Sequence, residues 1–445
     1  MEREAQYERG MTSTRPDFPQ GKPATQPLHA AASSFPSSSQ VVYDWNLVER
    51  RQPVVMKGKF ELHDETLRDG LQNPSVIDPP IADKLEILHL LDQVGVDTCD
   101  VGLPGAGQRA FDDVLRLCRE MVETKMHIRP TCAGRTLIQD IRPMAEVTQK
   151  AGIPIEVMTF IGSSPIRALA EDWSVELIRK RSVEAISFAV KEGLPVNYVT
   201  EDTTRSDPRV LYELFTSAIE AGATRLTLCD TVGHVTPDGV KNLFRWTRNL
   251  LRAIGADHIG LDWHGHNDRG LGVVNSIWAI EHGADRIHGA ILGVGERVGN
   301  ASLDQIIVNL KLIGELGDRD VTKLGALCDK VGKALGVGIP VSYPVMGRDA
   351  FRTGTGVHAS AIIKALEKGD RDLADRVYSG VPAGVFGREQ EIEIGPMSGA
   401  SNVNFWLKYR GIEGSVELVS AILAEAKKSN RTLSDDEIRA VIAAS

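Results

Sequence analysis

The chain is expected to fold as a (β/α)8 TIM barrel with a helical C-terminal extension, on three observations. Short apolar runs alternate with helix-length amphipathic segments eight times over about 280 residues. Many of the helix-length segments stop at a glycine, the residue that most readily takes the left-handed conformation ending a helix. Charged or Gly-rich turns follow the apolar runs, at the strand ends where such a barrel carries its chemistry. A doubly wound open sheet is the main competitor, but no G-x-G-x-x-G follows the first strand to support it.

Residues 1–55 come first and are rich in Pro, Ser, Ala, Thr and Gln. Such a stretch buries too little apolar surface to offset the entropy of ordering, so it is expected to be a disordered tail. The segment KFELHDETLRDGLQ, from Lys59 to Gln72, opens the regular pattern. Phe60 and Leu62 alternate as in a strand, and Glu65, Arg68 and Asp69 cluster just past its end. A carboxylate there can serve as a hard oxygen ligand, and a neighbouring guanidinium as a fixed positive charge. An ion pair that merely closes the turn is the alternative. The first helix places Ile81, Leu85, Leu88 and Leu91 on one face and ends at Gly95.

Seven further strand-like runs start at Val96, His127, Pro154, Pro195, Thr224, His258 and Asp285, which completes a barrel domain over 56–340. The rhythm then stops. Helical stretches such as DAFRTGTGVHASAIIKALEKG and SVELVSAILAEAKKS, separated by a Gly- and Pro-rich region from Ser379 to Gly399, form the extension over 341–445.

Composition narrows the function classes. A net charge of −9 argues against a general nucleic-acid surface and for small-molecule partners. The five cysteines are scattered singly, as reduced core thiols in a cytoplasmic protein would be. No apolar run approaches the roughly 20 residues that cross a bilayer. The N-terminus lacks the apolar core of a signal peptide.

The seventh strand ends in WHGHND. Residues i and i+2 of a strand share a face, so His264 and His266 can both aim into the barrel mouth, where Asp69 would complete three ligands to a divalent cation. A pair of core or surface histidines is the alternative. After the eighth strand, GVGERVGN packs three glycines with Asn300, whose amide oxygen would lie near that cation.

Taken together and in order, HDETLRDGLQ, LCDTVGHVTP, HGHNDRGLG, GVGERVGN and GTGVHASAIIK resemble the DRE-TIM metallolyase family. Within it they look most like the 2-isopropylmalate, homocitrate and citramalate synthases, over roughly residues 59–410. The resemblance implies a divalent metal (Mg, Mn or Zn) held by Asp69, His264 and His266 with Asn300 close to it. It further implies a condensation of acetyl-CoA with a 2-oxo acid, followed by hydrolysis of the thioester. By the same resemblance Arg68 stabilises developing negative charge, Glu201 and His358 belong to the acid/base machinery, and Gln72 and Thr231 contact substrate. His358 would reach a neighbouring barrel, so an intertwined homodimer is implied.

The chain also departs from that pattern. Leu71 stands where the synthases usually have Glu, as in 3-hydroxy-3-methylglutaryl-CoA lyase, yet the loop after the last strand lacks the cysteine of that lyase. Arg167 stands where synthases commonly have a histidine. Arg167 or Arg135 is therefore a candidate to bind a distal carboxylate of the substrate. No segment matching the leucine-sensing regulatory domain follows the extension, so feedback inhibition of that type is not expected. A catalytically silent homologue is the reading from another class.

Overall fold

The computed structural model describes residues 60–445. The tail expected over residues 1–55 lies outside the described residues. Eight parallel strands close into a barrel in chain order: β1 (Glu61–Asp64), β2 (Thr98–Asp100), β3 (Arg129–Arg135), β4 (Glu156–Gly162), β5 (Val196–Glu201), β6 (Arg225–Asp230), β7 (Gly260–Gly265) and β8 (Arg286–Gly289). Closure pairs β1 with β8, setting Leu62 opposite Ile287 and Asp64 opposite Gly289. On the other side β7 pairs with β6, with His264 opposite Cys229. The ends of β1, β7 and β8 therefore share one rim.

The connecting helices form where the sequence supplies both a stop and an apolar face. In α1 (Ile81–Val94) the buried residues include Ile87, Leu88, Leu91 and Val94, and Gly95 closes the helix at φ 85°. Ile81 and Leu85 of the expected stripe are only half-buried. The helices α2 (Gln108–Glu123) and α3 (Ile138–Ala151) follow. After β4, Ser164 caps the short α4 (Pro165–Glu171), its hydroxyl accepting from the Arg167 amide. Ser174 and Asp207 cap α5 (Val175–Lys191) and α6 (Pro208–Glu220) in the same way, each satisfying an amide the helix cannot.

The strands obey the period of two. Leu261, Trp263 and Ile287 are fully buried with the helix-facing core, while Asp262, Arg286 and His288 alternate with them. These polar residues fill the interior, because their bonds join strands that are not neighbours. Arg286 of β8 reaches Glu156 of β4 at 3.0 Å, and Asn197 of β5 reaches Asp262 of β7 at 2.7 Å. Bonds between such strands cross the barrel.

The helices α7 (Pro237–Ala253), α8 (Gly272–Glu281), α9 (Leu303–Leu312) and α10 (Leu324–Leu335) complete the outer ring, and α10 packs on α1. Beyond it the chain is helical as expected: α11 (Gly356–Glu367), α12 (Arg371–Arg376), α13 (Ala400–Tyr409), α14 (Val416–Lys428) and α15 (Asp435–Ala444). They enclose two small cores, one around Val403, Trp406, Leu407 and Ile422, the other around Ala359, Ile362 and Ile363. A two-stranded parallel ladder, β9 (Arg352–Thr353) with β10 (Glu391–Ile392), was not expected and shortens the helix read from Asp349. Strands of two residues leave no periodicity to read. Among the described residues no helix is long and apolar enough to cross a membrane.

Candidate metal centre at the barrel rim

The first strand hands its chain to the rim through a tightly bonded turn. The Asp64 carboxylate accepts from the Thr66 amide at 3.0 Å and from its hydroxyl at 2.7 Å, and the Thr66 oxygen accepts from the Ile291 amide at 2.8 Å. The turn after β1 is thus tied to the segment after β8. Gly70 lets the two press together, since a Cβ there would lie 2.8 Å from Val294 Cγ2.

On this turn Asp69 meets the two histidines of β7 and its continuation. Ligand atoms of Asp69, His264 and His266 all lie within 4.8 Å of one another, and none of the three residues is exposed. Asn300 joins them, its amide donating to Asp69 Oδ2 at 2.8 Å and to Glu65 Oε2 at 3.1 Å. The loop delivering Asn300 runs beside the end of β7: the Gly299 carbonyl accepts from the Asn267 amide at 3.0 Å, and the Gly265 carbonyl from the Ala301 amide at 2.8 Å. Gly299 is required there, with φ 96° and a position where any Cβ would fall on the Gly293 carbonyl.

The residues fit a divalent cation. One carboxylate and two imidazoles converge, the mixed oxygen and nitrogen set that Mg, Mn and Zn sites share. Two buried polar atoms at the site, His266 Nδ1 and Asn300 Oδ1, have no hydrogen-bond partner among the described residues. Burial of that kind is costly unless a partner is supplied.

Charge at the centre is strongly interdependent. Burial opposes ionisation of Glu65, but His264 and His288 outweigh it and hold this carboxyl well below the usual range. Burial likewise disfavours the charged form of His264, and Glu65 overrides it, pushing His264 up to about 9. Burial and the neighbouring His264 both press His266 downward.

The remaining expected site residues divide into two groups. Arg68 is at the centre: it donates to Asp69 at 2.9 Å, lies 3.8 Å from Asp100 and stands 5.3 Å over the Phe160 ring. Glu201 ends β5, half-buried, 3.7 Å from Arg167, and burial raises its pKa while Arg167 opposes the rise. Thr231 follows β6 and accepts from the Asp202 amide at 2.8 Å. In contrast, Arg135 ends β3 with its guanidinium held by both oxygens of Asp140, at 2.8 and 2.9 Å. The Gln72 side chain is exposed. His358 is exposed on α11 with its ring 4.0 Å from that of Tyr378. Among the described residues no hydrogen bond or ion pair joins His358 to the centre of its own barrel.

Sequence reasoning assigned no role to His288 and left Glu65 as one charge among several in a turn. The signal was present: histidine and aspartate at alternate positions of strands that otherwise read as apolar.

A family model described as HMGL-like matches residues 59–331. A Methanopyrus kandleri protein named "Probable 2-isopropylmalate synthase" is 30% identical over 375 residues, covering 84% of this chain and 70% of that protein. The 2-isopropylmalate synthase of Oceanobacillus iheyensis is 30% identical over 392 residues, covering 86% and 73%. Among solved structures the HMG-CoA lyase of Bacillus subtilis matches with a TM-score of 0.52 at 19% identity, over 64% of this chain and 96% of that one, and shares the fold.

Proposed function

The chain belongs to the HMGL-like family, and from that premise we propose that it is an acyltransferase of the 2-isopropylmalate synthase type. It joins acetyl-CoA to a 2-oxo acid and hydrolyses the resulting thioester. The observation that carries the assignment of the centre is the convergence of Asp69, His264 and His266 within 4.8 Å at the rim where β1 and β7 end.

Asp69, His264 and His266 would hold a divalent cation, with Asn300 close to it, and the cation would supply Lewis-acid polarisation of a carbonyl oxygen. Everything else is done by the chain. Arg68, fixed by Asp69, Asp100 and the Phe160 ring, presents a permanent positive charge where the carbonyl oxygen of the 2-oxo acid gains negative charge. Glu201 and His358 move the protons. A base removes one from the acetyl methyl group, the new carbon–carbon bond forms to the carbonyl carbon, and the oxygen is protonated. Water then attacks the thioester carbonyl and the CoA thiol leaves with a proton. Because His358 lies exposed on the extension, its role is filled in a homodimer, where it enters the barrel of a second copy.

Of the residues assigned to substrate, Thr231 is on the turn after β6 and Gln72 on the turn after β1. Arg167 is better placed than Arg135 to receive a distal carboxylate. Both oxygens of Asp140 hold the Arg135 guanidinium, whereas Arg167 makes a single 3.1 Å contact with the exposed Glu171 and lies 3.7 Å from Glu201.

The direct test supplies acetyl-CoA labelled with carbon-13 in the methyl group, Mg or Mn, and 2-oxoisovalerate, pyruvate or 2-oxoglutarate in turn. Label in the new methylene of a tertiary hydroxy acid is expected with at least one of them. Release of acetyl-CoA from 3-hydroxy-3-methylglutaryl-CoA, with no condensation product from any 2-oxo acid, would instead mean a lyase.

A further inference from the structure

Beneath the candidate metal centre a file of buried charges leads down the barrel axis. Glu65 accepts from His264 Nδ1 at 2.8 Å and from Asn300 Nδ2 at 3.1 Å, both through Oε2, and from His288 Nδ1 at 3.1 Å through Oε1. His288 in turn donates from Nε2 to Asp262 Oδ2 at 3.1 Å. Asp262 is held by Asn197 at 2.7 Å, by Arg286 at 3.1 Å and by Arg225 at 2.5 Å. Glu65 is 4% exposed, and His288 and Asp262 are fully buried.

We propose that Glu65 and His288 are positioning residues for the metal: Glu65 fixes the ring and tautomer of His264, and His288 fixes Glu65. This rests on the assignment of Asp69, His264 and His266 as the metal ligands. An ionised carboxylate only accepts hydrogen bonds, so Glu65 keeps a proton of His264 on Nδ1 and leaves Nε2 as the nitrogen that can exchange its own proton for a cation. Glu65 also orients the Asn300 amide with its nitrogen toward the carboxylates, which turns the unpartnered Oδ1 the other way. Two groups at the centre are therefore aimed by one carboxylate. His288 stands between two carboxylates and donates to both, which stops Glu65 from swinging toward the cation as a further ligand.

His63, Glu65 and His288 also present ligand atoms within 4.8 Å of one another. They do not form a second cation site, because both ring nitrogens of His288 are already donating. His63 Nδ1 is engaged with the Thr98 hydroxyl at 2.8 Å.

Outer partners of metal-bound imidazoles typically shift metal affinity by about 10–100-fold. The test titrates Co2+ into the metal-stripped full-length chain and into Glu65→Gln, His288→Gln and Asp69→Asn, following visible absorption and thermal melting. Glu65→Gln and His288→Gln are expected to bind Co2+ on the order of 10–100-fold more weakly with an altered absorption band, while folded protein persists. Where one of these two fails to fold, the other carries the same readout. Asp69→Asn is expected to abolish the band, and Asp69→Asn with wild-type Co2+ binding would overturn the ligand assignment itself. If Asp69→Asn loses the metal but the folded Glu65 and His288 variants keep affinity within about twofold and an unchanged band, the positioning role is wrong. A second equivalent of Co2+ that disappears in His63→Gln would also overturn it, since the trio would then be a cation site.

Discussion

Asn300 donates its amide to Asp69 at 2.8 Å across 231 residues of chain, and its own oxygen is buried without a partner among the described residues. One side chain thus restrains a candidate ligand and offers a further donor atom beside it. Asn300→Ala removes both contributions. Mn2+ affinity, measured by equilibrium dialysis, is expected to fall by about 10–100-fold, with a parallel loss of turnover at limiting metal. Unchanged affinity would mean that Asn300 serves only the loop.

Arg167 lies 3.7 Å from Glu201, so its removal should be felt in two measurements. Burial raises the Glu201 pKa and Arg167 opposes the rise. In Arg167→Ala the carboxyl should titrate higher still, and the acid limb of the kcat/KM profile should move to higher pH if Glu201 acts as a base. Loss of a distal-carboxylate contact should also raise KM for 2-oxoglutarate more than for 2-oxoisovalerate. Equal effects on the two substrates, or a wild-type preference for the branched acid, would remove Arg167 from the distal site.

Asp304 lies at the start of α9, is 1% exposed and accepts from the Leu292 amide at 2.7 Å. Burial pushes its carboxyl up to about 6 from 3.8. A carboxyl raised in the folded state binds its proton more tightly there than in the unfolded chain, so stability falls as pH rises from about 4 to about 6 and stays reduced above that. The shift corresponds to about 3 kcal/mol at most. Asp304→Asn should therefore raise the melting temperature more at pH 8 than near pH 4. An equal change at both would show that the carboxyl is not strained by burial.

Much of this was legible in the chain. The eight strands were found because each is bounded by a helix-length segment with its own stop, as Gly95 ends α1. His264 and His266 could be placed together because two residues along a strand return to the same face, and Asp69 because it follows the strand that closes the barrel. The interior network was not legible as a unit. Glu65 meets His288 only through the closure of β1 on β8, 223 residues apart, and Asp262 meets Asn197 from β5. Glu65 alone reads as one charge in a turn, and His288, Asp262 and Asn197 each as one polar side chain in an apolar run. Arg135 looked as available as Arg167 in the sequence, yet Asp140, five residues on, occupies its guanidinium. His358 was placed in the reaction by resemblance, and on α11 it is exposed with its ring 4.0 Å from that of Tyr378.

The most direct measurement is thiol release from acetyl-CoA in the presence of a 2-oxo acid, by wild type and by Asp69→Ala, before and after chelation and after re-addition of Mg, Mn or Zn. A synthase working at this centre should release thiol only with the acid present, lose the activity to the chelator and regain it with metal, while folded Asp69→Ala stays inactive throughout. Thiol release that survives both chelation and loss of the Asp69 carboxylate would contradict a metal-dependent condensation at the rim of β1 and β7.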